Sequence, residues 1–198
     1  MKWIWIRHGE TEPNAQRKYL GHLDAPLNDR GKRQAQKTAS RLSNLAIHRI
    51  YSSDLARCME TARLLGQMLN LVPNAIPSLR ELDFGEWDGR TYEQIVQTNR
   101  SQVEAWYSNP FDCSPPGGET LHAFGQRVDR WLNRLFQDTS EGETIALVSH
   151  GGVIRYFESK WVRGSADKFW DTQGLPHGNY LEATWNGSHW SVHRPNNE

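Results

Sequence analysis

The sequence predicts an α/β fold in three layers: a mainly parallel sheet with helices on both faces, a small cap insertion and a C-terminal β-hairpin. Three observations carry this. Short β-rich runs alternate with amphipathic helical stretches. The run TIALV at 144–148 is continuously apolar, as strands covered on both faces are. The chain closes with two strand-like runs around Asn186-Gly187.

The elements follow in order. KWIWI at 2–6 is a β-rich run with Gly9 and Pro13 behind it, so a buried strand gives way to a loop. Asn28 is a good N-cap, and the helix it opens carries Ala35, Ala39 and Leu42 on one stripe and should end near Asn44. His48 to Ser52 reads as a second strand. Leu55, Met59, Ala62, Leu65 and Leu69 mark a long amphipathic helix after it. From Pro73 to Gly118 prolines, glycines and aromatics break the pattern in FGEWDG, EAWYSNPF and SPPGGE, which reads as the insertion. Leu121, Phe124, Val128, Trp131, Leu132 and Leu135 restore helical spacing ahead of TIALV. Gly151 and Gly152 then open the helix VIRYFESKWV, and LEATW and HWSVH form the hairpin, with Trp185 and Trp190 expected as diagonal neighbours on one face.

At 198 residues the chain suits one compact domain, 1–198, with the cap-like insertion at about 73–118. Lys+Arg 23 balances Asp+Glu 23, and no run of one sign is long enough to neutralise a nucleic-acid backbone. Nucleic acid is therefore not an expected partner. The apolar stretch Trp3 to Ile6 is far shorter than a membrane span or a signal-peptide core, so a soluble, cytoplasmic protein with no membrane partner is expected. Cys58 and Cys113 lack the spacing of zinc or disulfide frameworks and are read as reduced thiols, Cys58 as a small core residue.

In a mainly parallel sheet, ligands bind beyond the carboxyl ends of the strands. Arg7 and His8 leave the first strand there, Arg57 lies in the first turn after the second, and His150 leaves the end of TIALVS. Two guanidinium forks and two imidazoles converging at one sheet edge suit a dianion, and phosphate matches both the charge and the donor geometry. No GxxxxGK[ST] pattern is present, which argues against a nucleotide triphosphate cradled by backbone amides. Zinc on His8 and His150 is disfavoured because the flanking arginines repel a cation. Neither metal nor cofactor is expected.

These residues resemble the histidine phosphatase superfamily, also called phosphoglycerate-mutase-like. RHGETEPN at 7–14 matches its RHG signature, and YSSDLARCMETA at 51–62 the segment of its second arginine. LRELDFGEWDG at 79–89 matches the segment of its acid, and LVSHGGVIR at 147–155 that of its second histidine. The resemblance implies that His8 takes a phosphoryl group on a ring nitrogen, forming a phosphohistidine that water hydrolyses. It implies that Arg7, Asn14, Arg57, His150 and the Gly151 backbone hold the phosphoryl oxygens. By the same resemblance Glu81 protonates the leaving oxygen, with Asp83 and Glu86 as nearby rivals that read equally as solvated or capping residues. Two adjacent arginines disfavour protonated His8, which agrees with a nucleophilic neutral imidazole.

LRELDFGEWDGRTYEQI followed by PPGGETLHAFGQRV looks like the phosphatase branch, and Leu20 stands where the mutases commonly place a serine or threonine. The FGxWxG and PGGE segments are most similar to those of the α-ribazole phosphatases of cobalamin assembly. Broad-specificity phosphatases and phosphoglycerate mutases are the alternatives within the superfamily. An inactive phosphate-binding module is the alternative outside catalysis, and such a module would be expected to lack the nucleophile or the acid. The expected partner is a small phosphomonoester, and the chain is expected as monomer or homodimer. Trp87, Tyr92, Trp106, Tyr107 and Phe111 of the insertion either roof the pocket or pack its core.

Overall fold

A computed structural model describes residues 1–195. Its sheet has the strand order β3-β2-β4-β1-β5-β6. β1 (Lys2–Arg7), β2 (Arg49–Ser52), β3 (Asn74–Ala75) and β4 (Thr144–Ser149) are parallel, whereas β5 (Tyr180–Trp185) and β6 (Trp190–His193) run antiparallel at one edge.

The three layers follow from the alternation of side chains along the strands. On β1, Trp3 and Trp5 face one side with Ile145, Leu147, Leu181 and Ala183. Ile4 and Ile6 face the other side with Ala146, Val148 and Ile50. α2 (Asp29–Leu42) and α3 (Ala56–Leu69) cover the isoleucine face through Ala39, Leu42, Cys58, Ala62 and Leu65. Asn28 caps α2, accepting from the Gly31 N–H at 2.8 Å. The tryptophan face is covered by α5 (Leu121–Asp138) and by α6 (Gly151–Tyr156), which continues as a π-helical turn over Phe157–Val162. Trp3 is fully buried and meets the rings of Trp190 at 4.6 Å and Phe157 at 5.9 Å. Truncating so large a side chain to alanine costs about 3–5 kcal/mol.

Besides the short β3 inside the irregular segment and a one-turn helix in the loop after β1, two features differ from the sequence reading. The irregular segment holds a 17-residue helix, α4 (Tyr92–Ser108), whose inward residues are Ile95, Val103 and Trp106. A non-helical Asn99 (φ −138°, ψ 39°) kinks it midway, so the apolar residues keep no single helical stripe. Trp185 and Trp190 are directly opposite partners rather than diagonal ones, because the connection is four residues long. The Asn186 carboxamide oxygen accepts from the Ser188 and His189 N–H groups across that connection.

A short helix, α1 (Glu12–Ala15), follows the β1 loop. That loop packs tightly on the start of α2: a Cβ on Gly9 would lie 2.2 Å from the Gly31 carbonyl oxygen. Among the described residues no helix is long and apolar enough to cross a membrane.

Candidate active site

The carboxyl ends of β1, β2 and β4 bring the four predicted groups together. His8 and His150 are buried with ring centroids 5.1 Å apart. Arg57, fully buried in the first turn of α3, donates from Nε to His150 Nδ1 at 3.3 Å and from Nη1 and Nη2 to the carbonyls of Leu23 (3.0 Å) and Gly21 (2.7 Å). Those carbonyls are held in turn: the Asp88 carboxylate accepts from the N–H groups of Gly21, His22 (2.9 Å) and Leu23 (3.0 Å). Asp88, in the insertion, thereby fixes the loop that aims Arg57.

The hydrogen bonds set the histidine tautomers. His8 Nδ1 lies 2.7 Å from the Gly9 carbonyl, which can only accept, so Nδ1 carries the proton and Nε2 keeps a free lone pair. His150 Nδ1 faces the Arg57 Nε–H, which can only donate. The His150 proton is therefore on Nε2, pointing at Ser53 Oγ 2.8 Å away. Burial first, and then the Arg57 charge, hold both rings well below the usual histidine range, so both are neutral. Cys58 Sγ lies 3.4 Å from His150 Nε2, and burial pushes its thiol up, which keeps it inert core.

Arg7 donates from Nη1 to the Leu175 carbonyl at 2.7 Å and from Nη2 to His177 Nε2 at 3.0 Å, while its buried Nε–H has no partner among the described residues. An unpaired buried donor beside a neutral histidine is what an incoming phosphoryl oxygen would satisfy. Asn14 accepts from the Thr11 N–H and hydroxyl and lines a polar opening with Arg7, Arg17, Lys18 and His177. Gly151 packs on the Arg7 guanidinium: a Cβ there would meet its central carbon at 3.3 Å.

Glu81 stands at the start of α6, accepting from the N–H groups of Leu82 (2.9 Å) and Gly152 (3.0 Å). It lines a cavity of about 230 Å³ together with Arg7 and Gly151. Its rivals are placed elsewhere. Asp83 accepts from the Gly85 N–H at 2.9 Å and faces His22, and Glu86 is exposed. Of the five insertion aromatics, Trp106 lines this cavity and Tyr92 the polar opening, while Trp87 and Phe111 pack in the core and Tyr107 is exposed.

Besides Asp88, sequence reasoning missed two supporting groups. His177 is one: its Nδ1 donates to the His8 carbonyl at 3.3 Å and its ring lies 5.0 Å from that of His8. Because β5 runs antiparallel, the residues just before it lie at the carboxyl end of β1, which is the signal that would have found it. The other is Arg127 on α5, which donates to the carbonyls of Ser78 (2.9 Å), Arg80 (2.8 Å) and Glu81 (2.7 Å) and pairs with Glu119, fixing the loop that carries Glu81.

Comparison with known proteins identifies the family. Residues 3–198 match the family model of the histidine phosphatase superfamily, branch 1. The chain is 42% identical over 171 residues to phosphoglycerate mutase-like protein 4 of Arabidopsis thaliana, covering 83% of this chain and 72% of that one. It is 34% identical over 168 residues to adenosylcobalamin/alpha-ribazole phosphatase of Escherichia coli K12, covering 85% and 82%. The crystal structure of the alpha-ribazole phosphatase from Shigella flexneri superposes with a TM-score of 0.89 at 31% identity, covering 98% of this chain and 95% of that one.

Proposed function

The chain belongs to the histidine phosphatase superfamily, branch 1, and we propose that it hydrolyses a small phosphomonoester through a phosphohistidine on His8, with α-ribazole 5′-phosphate as its preferred substrate. The observation that carries the reading is His8 itself: a neutral imidazole whose Nδ1–H is committed to Gly9 and whose Nε2 lone pair is free.

In this mechanism the phosphate dianion enters among Arg7, Asn14, Arg57 and His150, where the Arg7 Nε–H and the remaining Arg57 donors take its oxygens. His8 Nε2 attacks phosphorus as the ester P–O bond breaks, and Glu81 gives its proton to the leaving oxygen. The alcohol departs and leaves a phosphohistidine and a Glu81 carboxylate. Water then attacks phosphorus, Glu81 takes its proton, the P–N bond breaks, and inorganic phosphate and neutral His8 are restored. The arginines stabilise charge on the equatorial oxygens in both steps.

The choice of substrate is supported by the names of the Escherichia coli and Shigella relatives and by the aromatic wall of the cavity beside Glu81, which suits a flat leaving group. The Arabidopsis relative favours a second reading, phosphoglycerate mutase. One panel separates them. Phosphate release from α-ribazole 5′-phosphate, phosphoserine and 3-phosphoglycerate is measured with EDTA present, together with formation of 2-phosphoglycerate. The expected result is a kcat/KM at least tenfold higher for α-ribazole 5′-phosphate than for the other two. Isomerisation of 3-phosphoglycerate faster than any phosphate release would establish the mutase instead.

A further inference from the structure

Past Glu81 the cavity becomes a cleft walled by aromatic residues from two separate parts of the chain. Phe84 and Trp106 come from the insertion and Phe169 and Trp170 from the segment before β5. The two walls meet where the rings of Trp106 and Trp170 pack edge to face at 5.7 Å. Arg155, in the last turn of α6, lines the same cavity as this wall and Glu81. Its guanidinium rests over the rings of Phe169 at 5.5 Å and Trp170 at 5.8 Å.

The hydrogen bonding of Arg155 is incomplete. A guanidinium carries five N–H donors. Arg127 uses its donors on three carbonyls and a carboxylate, and Arg57 uses three of its own on two carbonyls and His150 and keeps the rest for the phosphate. Arg155 makes one hydrogen bond among the described residues, a long 3.5 Å contact from Nη1 to the Phe169 carbonyl, and no ion pair within 4 Å. Glu81 and Glu158 act on it only through space. Unlike Arg7 Nε, none of the unpaired Arg155 nitrogens is sealed from solvent, so these free donors stand open in the cleft, where acceptors on a bound ligand can replace water.

We propose that Arg155 is a specificity-determining residue: it donates to a hydrogen-bond acceptor on the leaving group, remote from the phosphoester, while the flat ring of that group lies against Trp106 and Trp170. This rests on the phosphatase reading and narrows its substrate class to aromatic phosphomonoesters bearing an acceptor. A purely apolar leaving group would fill the cleft and leave the guanidinium unpaired. A small acid without a ring would reach Arg155 and leave the aromatic wall bare.

The test uses a matched pair, phenyl phosphate and 4-carboxyphenyl phosphate, with the wild type, Arg155→Met and Arg155→Lys. Dividing variant by wild-type kcat/KM for each substrate cancels the difference in leaving-group acidity. Arg155→Met is expected to lower kcat/KM for 4-carboxyphenyl phosphate at least tenfold more than for phenyl phosphate, chiefly through KM, and Arg155→Lys should recover part of that difference. Phenyl phosphate turnover also reports whether each variant is folded. If Arg155→Met fails to fold, the same ratio taken for Arg155→Lys, expected to fall further for 4-carboxyphenyl phosphate than for phenyl phosphate, still decides. Equal losses for both substrates would overturn the assignment of Arg155 and leave the phosphatase reading standing. Turnover of neither aryl ester by a wild type that still hydrolyses α-ribazole 5′-phosphate would overturn the assignment of Arg155 alone, and hydrolysis of none of the three would overturn both.

Discussion

Replacing Gly152 with alanine should disable Glu81 while leaving the fold almost untouched. A Cβ at Gly152 would lie 2.1 Å from Glu81 Oε1 and 3.1 Å from its Cδ, and the three nearest heavy atoms all belong to that carboxyl group. The end of a flexible side chain is what must yield, so the carboxylate swings away and loses the N–H groups of Leu82 and Gly152. Each such bond is worth about 1 kcal/mol net. Exchanging glycine for alanine in a helix returns about 1 kcal/mol. The net loss is therefore about 1 kcal/mol, or roughly 2–4 °C in Tm for a chain of this size. The catalytic loss is much larger, because a misplaced general acid costs about 10²–10⁴ in rate. The assay is single-turnover phosphohistidine formation from an alkyl phosphate and from p-nitrophenyl phosphate, whose leaving group needs little protonation. The alkyl ester should fall by that factor and p-nitrophenyl phosphate by less than about tenfold. An unchanged rate with the alkyl ester, or equal losses for both esters, would refute the role given to Glu81.

Three further outcomes follow from the same geometry. Arg127→Met strands the carbonyls of Ser78, Arg80 and Glu81 and the Glu119 carboxylate. It should cost about 3 kcal/mol, seen as a Tm drop of roughly 6–12 °C, and an unchanged Tm would show that the 78–81 loop does not depend on it. Arg57→Ala should weaken inhibition by vanadate at least tenfold, since charged hydrogen bonds are worth about 1.5–3 kcal/mol; equal inhibition of variant and wild type would remove Arg57 from the anion site. His8, His150 and His177 are all held below the usual histidine value by burial, His177 pushed down to about 3. Protonation then favours the unfolded chain, so stability is full above about pH 6.5 and is lost as the pH falls, by about 2 kcal/mol at pH 5 for His177, with His8 and His150 acting in the same direction. Urea midpoints at pH 7.5 and pH 5.0 check this, and equal midpoints would contradict it.

How much of this the sequence disclosed depends on the distance over which each feature is encoded. Every strand but the two-residue β3, together with α2, α3 and α5, was legible because burial on a regular element repeats at the period of that element: Trp3 and Trp5 against Ile4 and Ile6, or Leu121 through Leu135. The convergence of Arg7, His8, Arg57 and His150 was legible because parallel strands send their carboxyl ends to one edge. α4 escaped because its kink at Asn99 breaks the stripe, although Thr91 and Gln94 form a capping box at its start that local reading can detect. His177 and Arg155 escaped for a different reason. Their partners lie 170 residues away in one case and on a wall assembled from two distant segments in the other, so no local pattern marks them.

The central claim is that His8 Nε2 is the nucleophile because its Nδ1–H is held by the Gly9 carbonyl. The most direct measurement is to quench the enzyme in alkali during turnover of a phosphomonoester and locate the phosphoryl group by peptide mass spectrometry and ³¹P NMR. The account predicts an alkali-stable, acid-labile phosphoryl group on Nε2 of His8, absent from His8→Ala. A phosphoryl group on Nδ1 of His8 or on any other residue, or turnover by His8→Ala at the wild-type rate, would contradict it.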